Sequence, residues 1–431
     1  MTSQLSRTLF ETSATHEDML AVLFSLFFTI GREGIGGEDE TTWGLLVNVH
    51  DEPGTGKSTI AANIGKKWMT VTRVHSLAQH PAEDIGGYCV PNKTRTAMDA
   101  IPAAFFNDLN ASDSALLILD EFGSVEEHKQ AAALSLLTER MAGGTRLAGH
   151  VRCIALGNPP EVGANGVPQA MSTANRFFHM PWIRPAKGSF RNYLRTAGKI
   201  KKIVEKGDRE AVERKVVKAW PAAYAKAVAI VDGYLERFPA DEHCMPKGYG
   251  RDTDEGELDE LRWPSPRVWE NVCRALAGAL IHGLTDVQVD YMVRCALPEG
   301  LATKFVAFYH DQDLPTPESV LDDPESYKIS KRIDKTQAVL SMTVAYLADE
   351  TVEKRSERAA NWWKLAGIAA EHKNCGKDFV KVYARQMSLP TADGGCGLGS
   401  DVVPEAGPVV TSLFEVLFEE KKAKKAAKSR R

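Results

Sequence analysis

Up to Pro185 short, continuous apolar runs alternate with amphipathic stretches, the pattern of strands buried on both faces and separated by covering helices. Trp43 to Val49 is the first such run, and Trp68 to His75, alternating with Thr, Val and Arg, reads as a second strand. Ala115 to Leu119, Val151 to Leu156 and Phe177 to Trp182 complete the set. Between them Thr59 to Lys67, Thr96 to Asn110 and Glu126 to Met141 read as helices, and Gly143-Gly144 ahead of Thr145-Arg146-Leu147 predicts a hairpin turn. The run Met19 to Ile30 reads as a buried helix, and Gly31, Gly34, Gly36 and Gly37 after it as a joint. Beyond Pro185 the period becomes helical: Tyr193 to Phe238, a block from Pro266, and blocks at 335–348 and 357–372. Residues 241–260, rich in Asp, Glu and Gly, read as an exposed loop. The expectation is an α/β parallel-sheet core followed by helical regions.

Candidate chemistry sits where predicted strands end. Val47 to Ile60 runs from a β-branched strand through Pro53-Gly54-Thr55-Gly56 into Lys57-Ser58-Thr59, the opening of a helix. Gly54 and Gly56 let the backbone turn several N–H groups toward one anion, and the helix N-terminus adds its own unpaired donors. In such a cradle Lys57 reaches outer phosphates, and the Ser58 hydroxyl holds magnesium. The place where these loops usually begin with glycine holds Asp51, followed by Glu52. Because Pro53 to Ser58 is intact, the Asp51 side chain is expected to face away from the phosphates.

Leu116-Leu117-Ile118-Leu119-Asp120-Glu121 places two carboxylates at the carboxyl end of a buried strand, the edge where open α/β sheets bind ligands. Asp120 would hold magnesium and Glu121 would deprotonate an attacking water; alternatively Asp120 caps the next helix. Asn158 ends the following strand, either to bridge the attacking water and the γ-phosphate or as a turn residue before Pro159.

Composition excludes more than it adds. The chain has 431 residues, 43% of them hydrophobic, with a formal charge of -4, so no global field points to nucleic acid. Seven of the last eleven residues are basic, which leaves -4 - 7 = -11 on the rest. Seven scattered cysteines without a Cys-x-x-Cys or His-Glu-x-x-His pattern suggest neither disulfides nor zinc, and a reduced, cytoplasmic setting is expected. Met19 to Ile30 is too short to span a bilayer and wrongly flanked for a signal peptide, so no membrane insertion is expected.

The cradle, the Leu-Asp-Glu strand end, Gly157-Asn158-Pro159-Pro160, Ala174-Asn175-Arg176-Phe177 and Ser265-Pro266-Arg267 come in the order and spacing of AAA+ ATPases. Asp84-Ile85-Gly86-Gly87 and the stretch Gln130 to Arg140 look most like the MoxR-type branch, and the resemblance covers residues 40 to 300. It implies a P-loop NTPase (AAA+) core at 41–186, a helical lid domain at 187–325 and a helical C-terminal extension at 326–420. These lie between an N-terminal helix and joint at 1–40 and a basic tail at 421–431. ATP and magnesium would be the cofactors. Pro53 to Thr59 would form Walker A, Asp120 and Glu121 Walker B, Asn158 sensor 1, and Arg267 sensor 2. Arg176 would be an arginine finger acting on the neighbouring subunit, with Arg184 the nearest alternative. A finger in trans implies a homo-oligomer, expected as a hexameric ring. The family further implies chaperone-like remodelling of a partner protein, often together with a protein that carries a von Willebrand-type domain.

Two other classes stay open. The basic tail fits a DNA-associated motor or loader, though such tails are also simply solvated. Asp51 fits an ATP-gated scaffold that hydrolyses slowly. The run Leu413 to Phe418 reads either as a docking helix or as core.

Overall fold

The computed structural model describes residues 13–32, 41–51, 54–158, 171–184, 206–244, 262–312, 314–373, 375–391 and 395–399. Helix α1 (His16–Phe27) is followed by β1 (Val47–His50), α2 (Lys57–Trp68), β2 (Val71–Ser76), the single turn α3 (Glu83–Gly86), β3 (Tyr88–Pro91), β4 (Met98–Ile101), α4 (Phe105–Asn110) and β5 (Ala115–Asp120). Then come α5 (Glu127–Glu139), β6 (Met141–Ala142), β7 (Thr145–Arg146), β8 (Val151–Gly157), α6 (Met171–Ala174) and β9 (Phe178–Pro181). The remainder is helical: α7 (Arg209–Arg237), α8 (Pro266–His282), α9 (Asp286–Ala296), α10 (Glu299–Asp311), α11 (Pro317–Asp322), α12 (Ile333–Ala348), α13 (Arg355–Glu371) and α14 (Lys377–Ser388).

Five strands form one sheet in the order β2-β5-β8-β1-β9, with every pair parallel. Its middle is dry. All residues of β1 and β8 are buried, as are Ala115 to Leu119 of β5, which explains why these segments read as apolar runs without alternation. The sheet buries its leucines and isoleucines at about 2 kcal/mol each. Because all five strands run the same way, their carboxyl ends share one edge, and that edge receives the loops after β1, β5 and β8.

Arg152 is the exception within buried β8. Its guanidinium is 0% exposed, yet Nε donates to the Phe27 carbonyl at 2.8 Å and Nη2 meets Glu213 at 2.6 Å. The rings of Phe28 and Trp43 lie under it at 4.9 and 5.2 Å. A buried charge is tolerable when paired and hydrogen-bonded in this way; here it ties α1 and the start of α7 to the sheet.

Three sequence expectations shift. The predicted helix from Thr96 to Asn110 is a helix only at Phe105–Asn110; Met98–Ile101 instead pairs antiparallel with Tyr88–Pro91. The turn between them is closed by Asn92, whose Oδ1 accepts the Thr96 N–H at 3.0 Å, a local bond that competes with helix formation. The first strand begins at Val47, because Trp43 makes only an isolated bridge to Ile30. Trp68 belongs to α2, so the second strand starts at Val71. The hairpin predicted at Gly143-Gly144 is present as β6 and β7.

The chain divides into two compact units, Met1–Lys218 with Ala240–Val306 and Ala219–Pro239 with Ala307–Arg431. The first carries the sheet. The second is helical, with a core around Trp362 and Trp363, edge to face at 5.0 Å, whose indole N–H groups donate to Thr343 Oγ1 and the Leu398 carbonyl. Among the described residues no helix is long and apolar enough to cross a membrane.

Candidate functional site

Gly54 and Gly56 both adopt left-handed backbone, with φ of +78° and +92°, and a Cβ built at either would touch nothing within 4 Å. It is therefore dihedral strain, not crowding, that calls for glycine here. Gly56 is the N-cap of α2, no side chain caps that helix, and its first turn holds no acidic residue. The first N–H groups of any helix have no intrahelical acceptor, and a start with no capping side chain and no acidic first turn is the arrangement that favours an anion.

Lys57 turns back across this loop. It is only 8% exposed, and Nζ donates to the Asp51 carbonyl at 2.8 Å and to Asn158 Oδ1 at 3.1 Å. Burial pulls its pKa down, while the Asp51 and Asp120 carboxylates push it up. Ser58 Oγ donates to Asp120 Oδ2 at 2.7 Å, and the other oxygen of Asp120 accepts the Glu121 N–H at 2.9 Å. The parallel sheet therefore brings together residues from three strand ends: Lys57 and Ser58 after β1, Asp120 and Glu121 at β5, and Asn158 after β8.

Glu121 is strained. Its φ of +64° is left-handed, unusual for a residue with a long side chain, and such strain gathers where a side chain must be aimed. The aim is toward Ser76, whose hydroxyl donates to Glu121 Oε2. Ser76 was not singled out from sequence. Its signal is register: it ends β2 and pairs with Asp120, beside Glu121.

The carboxylate of Asp51 meets Arg184 Nε at 3.4 Å. Arg184 thus supplies a countercharge to the residue that replaces the usual glycine, while the backbone oxygen of Asp51 accepts from Lys57.

Arg176 and Arg267 form a second grouping. Burial lowers the pKa of Arg176, and the nearby Arg267 lowers it further, with Glu139 opposing. Arg267 follows Pro266 in the first turn of α8, whose N-cap Ser265 accepts from the Val268 N–H. A cation there runs against the helix dipole, so an anion is its natural partner. Asn175, part of the Ala174 to Phe177 motif but given no role there, links the two: its Oδ1 accepts from Ser265 Oγ at 2.8 Å and its Nδ2 donates to the Trp263 carbonyl at 2.9 Å. The buried amide fastens the residue before Arg176 to the cap before Arg267.

Pro53, the Pro159-Pro160 pair, Leu413 to Phe418 and the basic tail lie outside the described residues. Thr55 is half-buried beside the glycines, and Thr59 is exposed one residue past Ser58.

No protein-family model matches the chain, and no curated protein matches it. Among solved structures, one from Cytophaga hutchinsonii ATCC 33406 named a "putative ATPase" is similar over 70% of this chain and 89% of that one. The identity is 15% and the TM-score 0.43, a likeness too slight to carry an argument. What stands is a mixed α/β chain whose glycine loop, lysine, serine and acidic strand end meet at the carboxyl edge of a parallel sheet.

Proposed function

We propose that this chain is an ATPase of the AAA+ type, hydrolysing ATP with magnesium. The observation that carries the reading is the 2.7 Å bond between Ser58 and Asp120 beside a loop of two left-handed glycines and the buried Lys57. A hydroxyl and a carboxylate are hard oxygen donors, the set that suits magnesium, which takes one or two protein ligands and completes its shell with water and phosphate oxygens. Ser58 and Asp120 would hold it, and its charge would neutralise phosphate oxygens.

The glycine loop and the uncapped start of α2 bind the phosphates; Lys57 adds a compact point charge among them. Glu121 accepts a proton from the water whose oxygen attacks the γ-phosphorus as the bond to the β-phosphate oxygen breaks, giving ADP and phosphate. For this the Glu121 carboxylate must leave Ser76. Asn158, already bonded to Lys57, orients the outer phosphate or that water. Arg176 and Arg267 offer two guanidiniums for charge developing at phosphate oxygens. The family resemblance supports Arg176 acting on a neighbouring subunit in a homo-oligomeric ring, Arg267 on the same subunit, and chaperone-like remodelling of a protein partner in the manner of MoxR-type enzymes.

The test is paired. Glu121→Gln should retain ATP binding and lose about 100-fold or more in turnover, and Lys57→Ala should weaken ATP binding by about tenfold or more. Wild-type protein that neither binds nor hydrolyses ATP, or a Glu121→Gln variant with normal turnover, would overturn the assignment. For the finger, the rate per subunit should rise with protein concentration, and Arg176→Ala should be inactive alone.

A further inference from the structure

We infer that His75, His80 and Asp84 form a binding site for a divalent transition-metal ion of the zinc class, independent of the phosphate cradle and of the ATPase reading. His75 lies on β2, next to its last residue; His80 lies in the turn that follows; Asp84 lies in α3. Their ligand atoms all fall within 4.8 Å of one another, and they are the one such grouping among the described residues.

Three observations point to a ligand. His75 is 0% exposed, yet neither of its ring nitrogens has a hydrogen-bond partner. A buried imidazole with both nitrogens unmatched costs about 1–3 kcal/mol for each bond forgone, and such a group calls for an ion or a water. Next, His80 stacks on that ring, centroids 4.5 Å apart and planes at 25°, and directs Nδ1 to Asp84 Oδ2 at 3.0 Å. Last, the other oxygen of Asp84 accepts from the Tyr88 hydroxyl, which fixes the carboxylate's orientation in the way that outer partners steer metal ligands. Phe105 also packs against the His75 ring at 5.1 Å and takes the nearby Arg73 guanidinium on its own face at 5.0 Å.

The donor set selects the metal. Two imidazole nitrogens and one carboxylate suit zinc and its neighbours, whereas magnesium and calcium take oxygen alone. Zinc bonds of about 2.0–2.2 Å place tetrahedral ligand atoms about 3.3–3.5 Å apart, so the widest separation in the group, at most 4.8 Å, must close on binding, a movement that falls most easily to His80. Its side chain is 40% exposed and has room to do so. Three protein ligands leave a fourth position for water. No sequence motif reveals the site because its residues come from a strand, a turn and a short helix, spaced five and four apart, rather than from one helical face.

Zinc titrated calorimetrically into the metal-stripped full chain should bind at one equivalent. His80→Ala and Asp84→Asn, both at partly exposed positions, should each weaken that equivalent by about tenfold or more with unchanged circular dichroism. Asp120→Asn, which removes the other candidate for a metal, should leave it intact, so the result does not depend on the ATPase assignment. Cobalt in place of zinc should give the visible d–d bands of a four-coordinate site without the intense near-ultraviolet bands of a thiolate. Absence of binding, ligand variants that bind as tightly as the wild-type chain, or a thiolate spectrum would each overturn the proposal; with no binding, a buried water is the partner of His75.

Discussion

At the scale of single residues the loop's anomaly becomes a pair. Asp51 stands where a glycine is usual, and two carboxylates near polyphosphate would cost Coulomb energy; Arg184 at 3.4 Å offsets one of them. The pair is partly exposed, so its own contribution to stability is small. Its effect on an anion next to it is larger. Arg184→Ala is expected to weaken ATP binding by about threefold to tenfold because it unmasks Asp51, and adding Asp51→Asn should restore most of the loss. Equilibrium binding of a fluorescent nucleotide to the two single variants and the double variant checks this: additive losses would mean that Arg184 contacts the nucleotide itself. From sequence, Lys57, Ser58, Asp120, Glu121 and Asn158 were legible because each lies at a fixed offset from a strand end. The contacts of Ser76, Asn175 and Arg184 were not, since they depend on which strands and loops become neighbours, and that ordering leaves no local trace; Arg184 had stood only as an alternative finger.

Among elements, the strands of the sheet were legible for a physical reason: β1, β5 and β8 are buried on both faces and must be apolar throughout. The β3–β4 hairpin was not. Its Tyr88, Met98 and Ile101 are 42%, 60% and 52% exposed, so no buried face imposes a period of two, and Asn92 sets its turn by a side-chain bond. Seating of α2 on the sheet rests on another close approach. A Cβ at Gly65 would come within 2.4 Å of Thr72 Oγ1 and 3.1 Å of Leu116 Cδ2. Gly65→Ala should therefore lift α2 and cost about 1–3 kcal/mol, read as a fall in the denaturant midpoint. It should also weaken ATP binding, because the first turn of α2 is part of the proposed cradle. Removing the clash from the opposite side with Thr72→Ala should recover much of both; a double variant no better than Gly65→Ala would place the strain elsewhere.

The whole molecule adds what no segment shows. Its unit boundaries at Lys218 and Val306 fall inside α7 and α10, where continuous helical periodicity carries no mark of a division. Two units also mean that unfolding need not be a single transition, and buried histidines offer a way to tell the transitions apart. His50 on β1 and His179 on β9 are buried in the first unit, His179 completely, with rings 6.2 Å apart. Burial pushes His50 down to about 3, helped by His179 and Arg262, and His179 down to about 4. His179 is held neutral with Nε2 donating to the Ala174 carbonyl at 2.8 Å. In the unfolded chain both titrate near 6.5. Between that value and the folded ones the unfolded state binds more protons, so stability is complete above pH 6.5 and falls as the medium is acidified. Each histidine should remove about 2 kcal/mol between pH 7 and pH 5. Denaturant melts over that range, with the sheet unit's tryptophans (Trp43, Trp68, Trp182, Trp263, Trp269) as reporters, should show this acid dependence. His179→Asn, which keeps a donor for Ala174 but cannot titrate, should lower the slope by about 1.4 kcal/mol per pH unit near pH 5 in that transition alone. A slope unchanged by the substitution would mean that His179 takes up its proton without unfolding the sheet.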